Sequence, residues 1–157
     1  MLRGFRADLT AEDLPMMIST RGRYALRVLI DIAEHTDGGF IPMKEVAARQ
    51  DISLKYLEKI LPVLTKNNLI EGQQGKGGGY RLTKDPDEYR VYDILLLTEE
   101  ELAPVACLAE NAKPCERAAG CRTLAMWEKF HKMTKDFFSG ITLSDLMRTD
   151  AGDMYVI

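Results

Sequence analysis

Residues 51–82 read DISLKYLEKILPVLTKNNLIEGQQGKGGGYRL, and they carry the strongest structural signal in the chain. Ser53 is a favourable helix N-cap. Apolar side chains follow it at helical spacing: Leu54, Leu57, Ile60, Leu61 and Leu64. The pattern predicts an amphipathic helix that begins at Ser53. Because a proline inside a helix removes a backbone hydrogen bond, we expect a kink or a break at Pro62.

A shorter helix is predicted just before this one, over residues 43–50, with Val46 and Ala47 facing inward. Asp51 and Ile52 form a tight connection between the two. Two short helices joined in this way indicate a helix-turn-helix, whose second helix enters the major groove of DNA. The predicted major-groove contacts are the polar and aromatic residues of that helix: Ser53, Lys55, Tyr56, Glu58 and Lys59.

A glycine-rich segment follows, flanked by two predicted strands at residues 69–71 and 80–82. Five of the eight residues from 72 to 79 are glycine, which allows close approach to another surface. The segment lacks the Gly-Lys-Ser/Thr ending of a phosphate-binding loop. A helix-turn-helix followed by such a hairpin is typical of a winged helix. We therefore expect Gln74, Gly75 and Lys76 to contact the DNA backbone or minor groove.

The first strong helix is predicted from Ser19 or Thr20 to about Thr36. Its first turns carry Arg21, Arg23 and Arg27, although positive charge is disfavoured at a helix N-terminus. A nearby polyanion would offset that cost, and a solvated basic face is the alternative. On the first interpretation, Arg21 and Arg23 are candidate DNA contacts.

The charge of the chain is divided unevenly. The 157 residues have a net charge of −3, but residues 17–84 hold 11 Lys and Arg against 7 Asp and Glu. Residues 85–157 hold 8 against 14. A basic first half and an acidic second half indicate a phosphate-facing module joined to something that faces elsewhere.

The predicted fold class is mainly α with a small β-wing: a winged helix-turn-helix DNA-binding domain plus a long dimerisation helix. The sequence has no run long enough to span a membrane and no secretory signal, so we expect a cytoplasmic protein. The predicted segments are a loosely held extension at 1–16, the DNA-binding domain at 17–84, the cysteine loop and dimerisation region at 85–147, and a tail at 148–157.

Two helices are predicted in the second half. The first, residues 91–98, is almost wholly apolar, so we expect both its sides to be buried; the acidic run at 99–101 should be solvated. The second, about residues 123–139, carries many large apolar side chains. A helix–helix homodimer seam is the simplest use for them, and a monomeric core helix is the alternative. The predicted seam residues are Trp127, Phe130, Met133 and Phe137.

All three cysteines of the chain lie between these helices, at Cys107, Cys115 and Cys121. Pro114 and Gly120 disfavour a helix there, so a loop is predicted. Thiolates bind iron–sulfur clusters and also zinc. Spacings of seven and five residues fit a larger cluster better than zinc, which usually takes Cys pairs two to four residues apart. A Cys115–Cys121 disulfide switch and inert thiols are further alternatives.

The chain resembles the IscR-like members of the Rrf2 family of winged-helix transcription regulators. The resemblance covers about residues 17–147. It is carried by four pieces and by a cysteine trio placed just before a Trp-containing helix; the pieces are ISTRGRYALR at 18–27, ISLKYLE at 52–58, GKGGGY at 75–80 and ITLSDL at 141–146. It implies a homodimer on pseudo-palindromic double-stranded DNA, acting as a repressor. It also implies that the three cysteines hold a 2Fe–2S or 4Fe–4S cluster whose state changes which promoters are bound.

The chain departs from the family pattern at three positions. Leu124 stands where cluster-binding relatives have a histidine, and Arg23 where a nitric-oxide-sensing branch has an aspartate ligand. Gln74 replaces an arginine of the wing. The fourth cluster ligand is therefore open; the candidates are Glu116, Glu128, His131, a partner-chain residue, a small thiol and water.

An enzymatic function is not expected. His35 and His131 lie on separate predicted helices with no catalytic motif around either. The alternative function is a cluster-free winged-helix regulator, controlled by a partner protein or by thiol oxidation (for example, of cysteine metabolism), or one with zinc at the cysteines.

Overall fold

The computed structural model describes residues 18–99 and 101–147. The predicted extension at 1–16 and tail at 148–157 lie outside them. The described part contains six α-helices and one two-stranded sheet: α1 Thr20–His35, α2 Met43–Gln50, α3 Leu54–Lys66, β1 Ile70–Gln73, β2 Gly79–Leu82, α4 Val91–Glu99, α5 Leu124–Ser139 and α6 Leu143–Met147. None of these helices is long and apolar enough to cross a membrane.

Helix α1 is the centre of the fold. Ser19 caps it, with its Oγ accepting a hydrogen bond from Gly22 N at 3.1 Å. Its apolar stripe, which includes Val28, Leu29 and Ile32, is fully buried. Leu57, Ile60 and Leu64 of α3 and Leu143 of α6 belong to the same core. Burying a large apolar side chain contributes about 1.5–3 kcal/mol, so this shared core fixes the helix-turn-helix against α1.

The turn between α2 and α3 is as tight as predicted. Asp51 adopts a left-handed conformation with a φ of 52°, and Ile52 N donates to Ala47 O at 3.0 Å. The predicted break at Pro62 is wrong, because α3 runs without interruption to Lys66. Pro62 lies on the exposed face of the helix. There, solvent can satisfy the Glu58 carbonyl that loses its usual partner.

The wing is an antiparallel hairpin in which Ile70 pairs with Leu82 and Gln73 with Gly79. A third segment joins it, since Ile41 N donates to Tyr80 O and Tyr80 N to Ile41 O, at 2.8 and 2.9 Å. A side chain at Gly79 would overlap the Ile41 carbonyl. Glycine at this position therefore lets the wing pair closely with the loop before α2.

Tyr89 connects the wing to the second half of the chain. Its hydroxyl donates to Leu69 O at 2.7 Å and accepts from Thr83 N at 3.0 Å. Helix α4 follows. Its Ile94 and Leu95 are buried, but Leu96 and Leu97 remain partly exposed. Ile94 belongs to the main core, whereas Val91 and Leu95 pack in a second apolar cluster with Leu102, so α4 contributes to two clusters. The prediction that both its sides are buried is therefore met only in part.

Candidate nucleic-acid interface and cysteine loop

The recognition helix α3 presents Lys55, Glu58 and Lys59 to solvent. Ser53 is exposed too, but it caps the helix, with its Oγ accepting from Tyr56 N at 3.2 Å. Tyr56 is half-buried, and its ring meets that of Tyr24 edge-on, with the centroids 5.2 Å apart. The structure thus leaves three predicted reading residues fully accessible and gives Tyr56 a packing role as well.

The wing tip is also exposed at Gln74, Gly75 and Lys76. Gly75 and Gly77 have φ values of 94° and 78°, and Gly78 N donates to Gly75 O at 3.0 Å. The left-handed conformations at the two glycines turn the chain sharply. They place the Lys76 ammonium at the end of the hairpin, where it can meet a phosphate backbone.

The arginines of α1 have partners within the chain. Arg21 donates from Nε to Thr98 O at 2.9 Å, and its Nη2 binds the same carbonyl. Arg27 binds Gln50, and Arg23 is exposed with a hydrogen bond to Thr20 Oγ1 at 3.0 Å. Arg21 therefore meets the carbonyl end of α4, where a positive charge is favourable. This contact offsets part of the unfavourable positive charge at the start of α1, and a DNA contact of Arg21 stays a prediction.

A buried charge pair joins α1 to α2 of the helix-turn-helix. Asp31 is fully buried on α1 and receives Arg49 Nη2 at 2.6 Å and Gln50 Nε2 at 2.8 Å. Burial opposes ionisation, but the hydrogen bonds from Arg49 and Gln50 and the Arg49 charge outweigh it. They hold the pKa of Asp31 below its usual value. A charged residue within the apolar stripe of α1 was the sequence signal that we missed.

The acidic run after α4 is not simply solvated. Glu99 accepts from Ser19 N at 3.1 Å and from Ser19 Oγ at 2.8 Å. Glu101 accepts from the backbone of Ala103 at 2.7 Å and of Glu110 at 3.0 Å. Two of the three carboxylates therefore hold the chain together. The prediction of a solvated run is wrong for the half-buried Glu99, whereas Glu101 is exposed and accepts backbone hydrogen bonds as well. The middle residue, Glu100, lies outside the described residues.

The cysteine loop, residues 103–123, contains two short 3-10 turns at Ala106–Leu108 and Ala118–Gly120. Its three thiols are exposed and free, so the predicted loop is confirmed in form. Their Sγ atoms are not gathered: within residues 18–99 and 101–147, no three His, Cys, Asp or Glu side chains are placed to hold a metal ion. The Cys121 thiol lies 3.5 Å from Thr123 Oγ1, and this hydrogen bond lowers the pKa of Cys121.

The three thiols of this loop are suitable ligands for a soft metal or a cluster, although they are not gathered around one point in this structure. Three thiols are the ligands that such groups prefer. The hydrogen bonds described for the loop join residues that are close in sequence. The widest sequence separation is between Glu110 and Glu101, which lies just before the loop. A loop held in this way can close around a group at little cost in packing. His131, half-buried on α5, has a buried Nδ1 with no hydrogen-bond partner among the described residues.

The apolar stripe of α5 is uncovered. Phe130 is 40% exposed, Met133 59% and Phe137 56%, whereas Trp127 is half-buried. The helix has no buried residue. Phe130, Met133 and Phe137 line a cavity of about 400 Å³ that reaches Leu102 and Phe138. Within residues 18–99 and 101–147, no element buries this stripe, so α5 is not a core helix of that part of the chain.

A helix-turn-helix packed on a central helix and followed by a β-hairpin wing defines a winged-helix DNA-binding protein. A family model described as an iron-dependent transcriptional regulator matches residues 18–149. The chain belongs to this family, the Rrf2 family. The resemblance, the mainly helical fold with its small wing and the expectation of a non-enzymatic transcriptional regulator are thereby confirmed.

Relatives and solved structures agree with this assignment. The chain is 41% identical over 133 residues to the protein rrf2 of Nitratidesulfovibrio vulgaris strain Hildenborough, covering 85% of this chain and 88% of that protein. It is 33% identical to the HTH-type transcriptional regulator IscR of Photorhabdus laumondii, with coverages of 84% and 79%. The structure of CymR, the global cysteine regulator of B. subtilis, superposes with a TM-score of 0.69 at 31% identity, over 85% of this chain and 98% of that one. T. potens IscR gives 0.68 at 30%, over 91% and 94%.

Proposed function

We propose that this regulator binds pseudo-palindromic operator DNA as a homodimer and adjusts that binding through an iron–sulfur cluster held by Cys107, Cys115 and Cys121. The observation that carries the proposal is the position of the thiols. All three are exposed on one loop, and that loop joins α4, which packs on the DNA-binding half, to α5, which carries the uncovered apolar stripe. A change of state in the loop therefore acts directly between the reading half and the dimer half.

The roles on the DNA differ from residue to residue. The exposed carboxylate of Glu58 can accept from a cytosine amino group but is repelled by phosphate, which makes it a sequence reader. Lys55 and Lys59 flank it and contact bases or phosphates. The wing contributes Lys76, with Gln74 and Gly75, at the backbone or minor groove. Of the α1 arginines, Arg23 remains a candidate contact, whereas Arg21 supports the interface by holding α4.

The dimer uses the α5 stripe. An exposed row of large apolar side chains beside a cavity of about 400 Å³ is a surface that a second copy of the same helix can cover. Trp127, Phe130, Met133 and Phe137 then bury against their counterparts across a two-fold axis. Such an axis also spaces two recognition helices for two half-sites one turn of DNA apart.

The three thiolates would bind the cluster, either 2Fe–2S or 4Fe–4S, and the fourth ligand remains to be assigned among His131, Glu116, Glu128 and groups from outside the chain. When bound, the cluster supplies a redox-sensitive and oxygen-sensitive charge at the loop. Non-cysteine ligation raises its potential, which suits a sensor. The Nδ1 of His131 has no hydrogen-bond partner among the described residues, and a buried nitrogen without one is costly, which favours His131 over the two exposed glutamates as the ligand.

Anaerobic purification followed by iron and sulfide assays and a visible spectrum tests the cluster. We expect a brown protein with acid-labile sulfide, and a colourless protein for Cys107→Ala, Cys115→Ala or Cys121→Ala, since none of the three thiols is spare. A His131→Ala protein that stays brown would remove His131 as the fourth ligand. A native protein that binds stoichiometric zinc or no metal would overturn the cluster.

A second candidate function has its own support, because the three thiols are free and a hydrogen bond lowers the pKa of Cys121. A cluster-free regulator could respond to oxidation of Cys115 and Cys121 to a disulfide by a peroxide-type oxidant. The structural similarity to CymR is consistent with such a protein. Mass spectrometry of the peroxide-treated protein distinguishes the two: loss of the mass of two hydrogen atoms, which the peroxide takes up as it is reduced to water, together with changed operator affinity favours this function.

A further inference from the structure

The start of α1 and the end of α4 are locked together across 80 residues of sequence. Glu99, the last residue of α4, accepts hydrogen bonds from Ser19 N at 3.1 Å and from Ser19 Oγ at 2.8 Å. Ser19 Oγ in turn accepts from Gly22 N. The Glu99 carboxylate thus lies at the N-terminus of α1, where the helix dipole favours a negative charge.

A second contact, with the charges reversed, joins the same two helix ends. The guanidinium of Arg21 binds the carbonyl of Thr98, at the C-terminal end of α4, where the dipole favours a positive charge. Each helix end therefore receives from the other the charge that stabilises it. We call the four residues Ser19, Arg21, Thr98 and Glu99 the α1–α4 clasp.

A glycine makes the clasp fit. Gly22 is buried, and a Cβ added there would overlap Glu99 Oε1 and lie 3.2 Å from Thr98 Oγ1. Glycine costs about 1 kcal/mol relative to alanine inside a helix, so its presence in the first turn of α1 needs a reason. Space for the Glu99 carboxylate is that reason.

The clasp lies between the two surfaces that regulation must join. On one side, Glu101, two residues after Glu99, accepts from the backbone of Ala103 and Glu110 and so holds the first part of the cysteine loop. On the other side, Thr20 and Arg21 share a surface cavity of about 370 Å³ with Tyr56 and Lys59 of the recognition helix. The clasp therefore borders the recognition helix across this cavity, and the chain joins it to the segment that holds the cysteine loop.

We propose that Glu99 is the positioning residue through which the state of the cysteine loop reaches α1 and the recognition helix. This inference rests on the proposed function and adds the route of coupling. A change in the loop pulls on Glu101 and hence on the end of α4. Glu99 then shifts Ser19 and Arg21, which border Tyr56 and Lys59. Coupling between two sites typically changes affinity about 5- to 150-fold.

Two variants open the clasp by different routes. Glu99→Ala removes the carboxylate. Gly22→Ala displaces it while improving the helix propensity of α1, and this gain offsets part of the stabilisation lost with the contact. Glu88→Gln is the matched control, because Glu88 also accepts a backbone hydrogen bond, from Asp85 N at 3.2 Å, but lies away from the clasp.

The experiment measures affinity for a duplex that the native protein selects from a randomised pool, with and without Cys115→Ala in each background. In native and Glu88→Gln backgrounds, we expect Cys115→Ala to change the affinity at least about 5-fold. In Glu99→Ala and Gly22→Ala backgrounds, the ratio should fall to within about twofold of one. An undiminished ratio in both clasp variants would overturn the role of Glu99.

Hydrogen exchange separates failure of this inference from failure of the proposed function. Cys115→Ala should change the exchange of amides 19–23 in the native background and leave it unchanged in the Glu99→Ala background. Unaltered exchange in the native background overturns the coupling route. If exchange responds through Glu99 but operator affinity never does, the route stands and regulation of DNA binding by the loop is wrong.

Discussion

The two halves of the molecule treat their apolar side chains in opposite ways. In the DNA-binding half, α1 and α3 bury almost every large side chain of their apolar stripes, including Leu29, Ile32 and Leu57. In the second half, α5 buries none fully, and Phe130, Met133 and Phe137 of its stripe remain 40% to 59% exposed. The reading half is complete within one chain. Among the described residues, the second half leaves an apolar surface open, and the proposed dimer would cover it with a second copy.

The same contrast holds for polar groups. The buried carboxylate of the first half, Asp31, is satisfied inside the chain by Arg49. The thiols of the second half are exposed and lie in a loop held by short-range hydrogen bonds. Stability and function are thus largely separated along the sequence, and each prediction below tests that separation.

The largest expected effect is on the α5 stripe. Phe130→Asp places a charge in the proposed seam, where an unpaired charge is very costly. We expect a folded monomer by light scattering and a loss of operator affinity of about 10²-fold or more, since two-site binding of the duplex is lost. Lys129→Asp, next to it and off the stripe, is the control and should remain a dimer. A dimeric Phe130→Asp would place the seam elsewhere.

The next-largest effect tests whether the Asp31–Arg49 pair stabilises the first half. Asp31→Asn keeps the size of the side chain but removes the buried charge opposite Arg49. Because Arg49 is partly exposed, we expect a loss at the low end for a broken buried pair, about 3 kcal/mol in the free energy of unfolding. Glu45→Gln removes the other carboxylate partner of Arg49, at the surface, and should cost less than about 1 kcal/mol.

The pH dependence of stability gives a second measure of the same pair. The pKa of Asp31 is lowered in the folded protein. Its contribution to stability is therefore fully present above the ordinary carboxyl pKa of about 4 and is lost as the pH falls through the lower, folded value. Denaturant unfolding between pH 7 and 2 should show this acid loss in the native protein and a smaller one in Asp31→Asn. Equal losses would mean that the pair contributes no net stability.

A smaller effect distinguishes a residue that reads the base sequence from one that contacts the DNA backbone. Glu58→Ala should relax specificity at one position by about 1–3 kcal/mol while leaving non-specific binding intact. Lys76→Ala should weaken all sequences alike and reduce the salt slope by about one. Affinities for matched and mismatched duplexes over a range of salt concentrations test both. Losses of the same sequence-independent form in the two variants would show that these role assignments are wrong.

The parts of the fold that the sequence predicted well are those set by neighbours along the chain. The Ser53 cap and helical periodicity located the start of α3, and glycines located the wing, because both depend on local backbone preference. The Pro62 break was wrong, since local preference yields when tertiary packing holds a helix and solvent satisfies the freed carbonyl. The Glu99–Ser19 contact joins residues 80 positions apart, so no local pattern could reveal it. In the sequence, Asp31 was recognisable only as a charged residue among the apolar positions of α1.

The smallest expected effect completes the comparison of the two halves. In the metal-free protein, Cys115→Ala should change the free energy of unfolding by less than about 0.5 kcal/mol, because the side chain is exposed and buries nothing. Leu57→Ala, in the fully buried core of the first half, should cost about 2–5 kcal/mol. Denaturant unfolding of both variants without metal gives the two numbers. If Cys115→Ala proved as destabilising as Leu57→Ala, the loop would belong to the folding core, and its thiols could not be reserved for regulation.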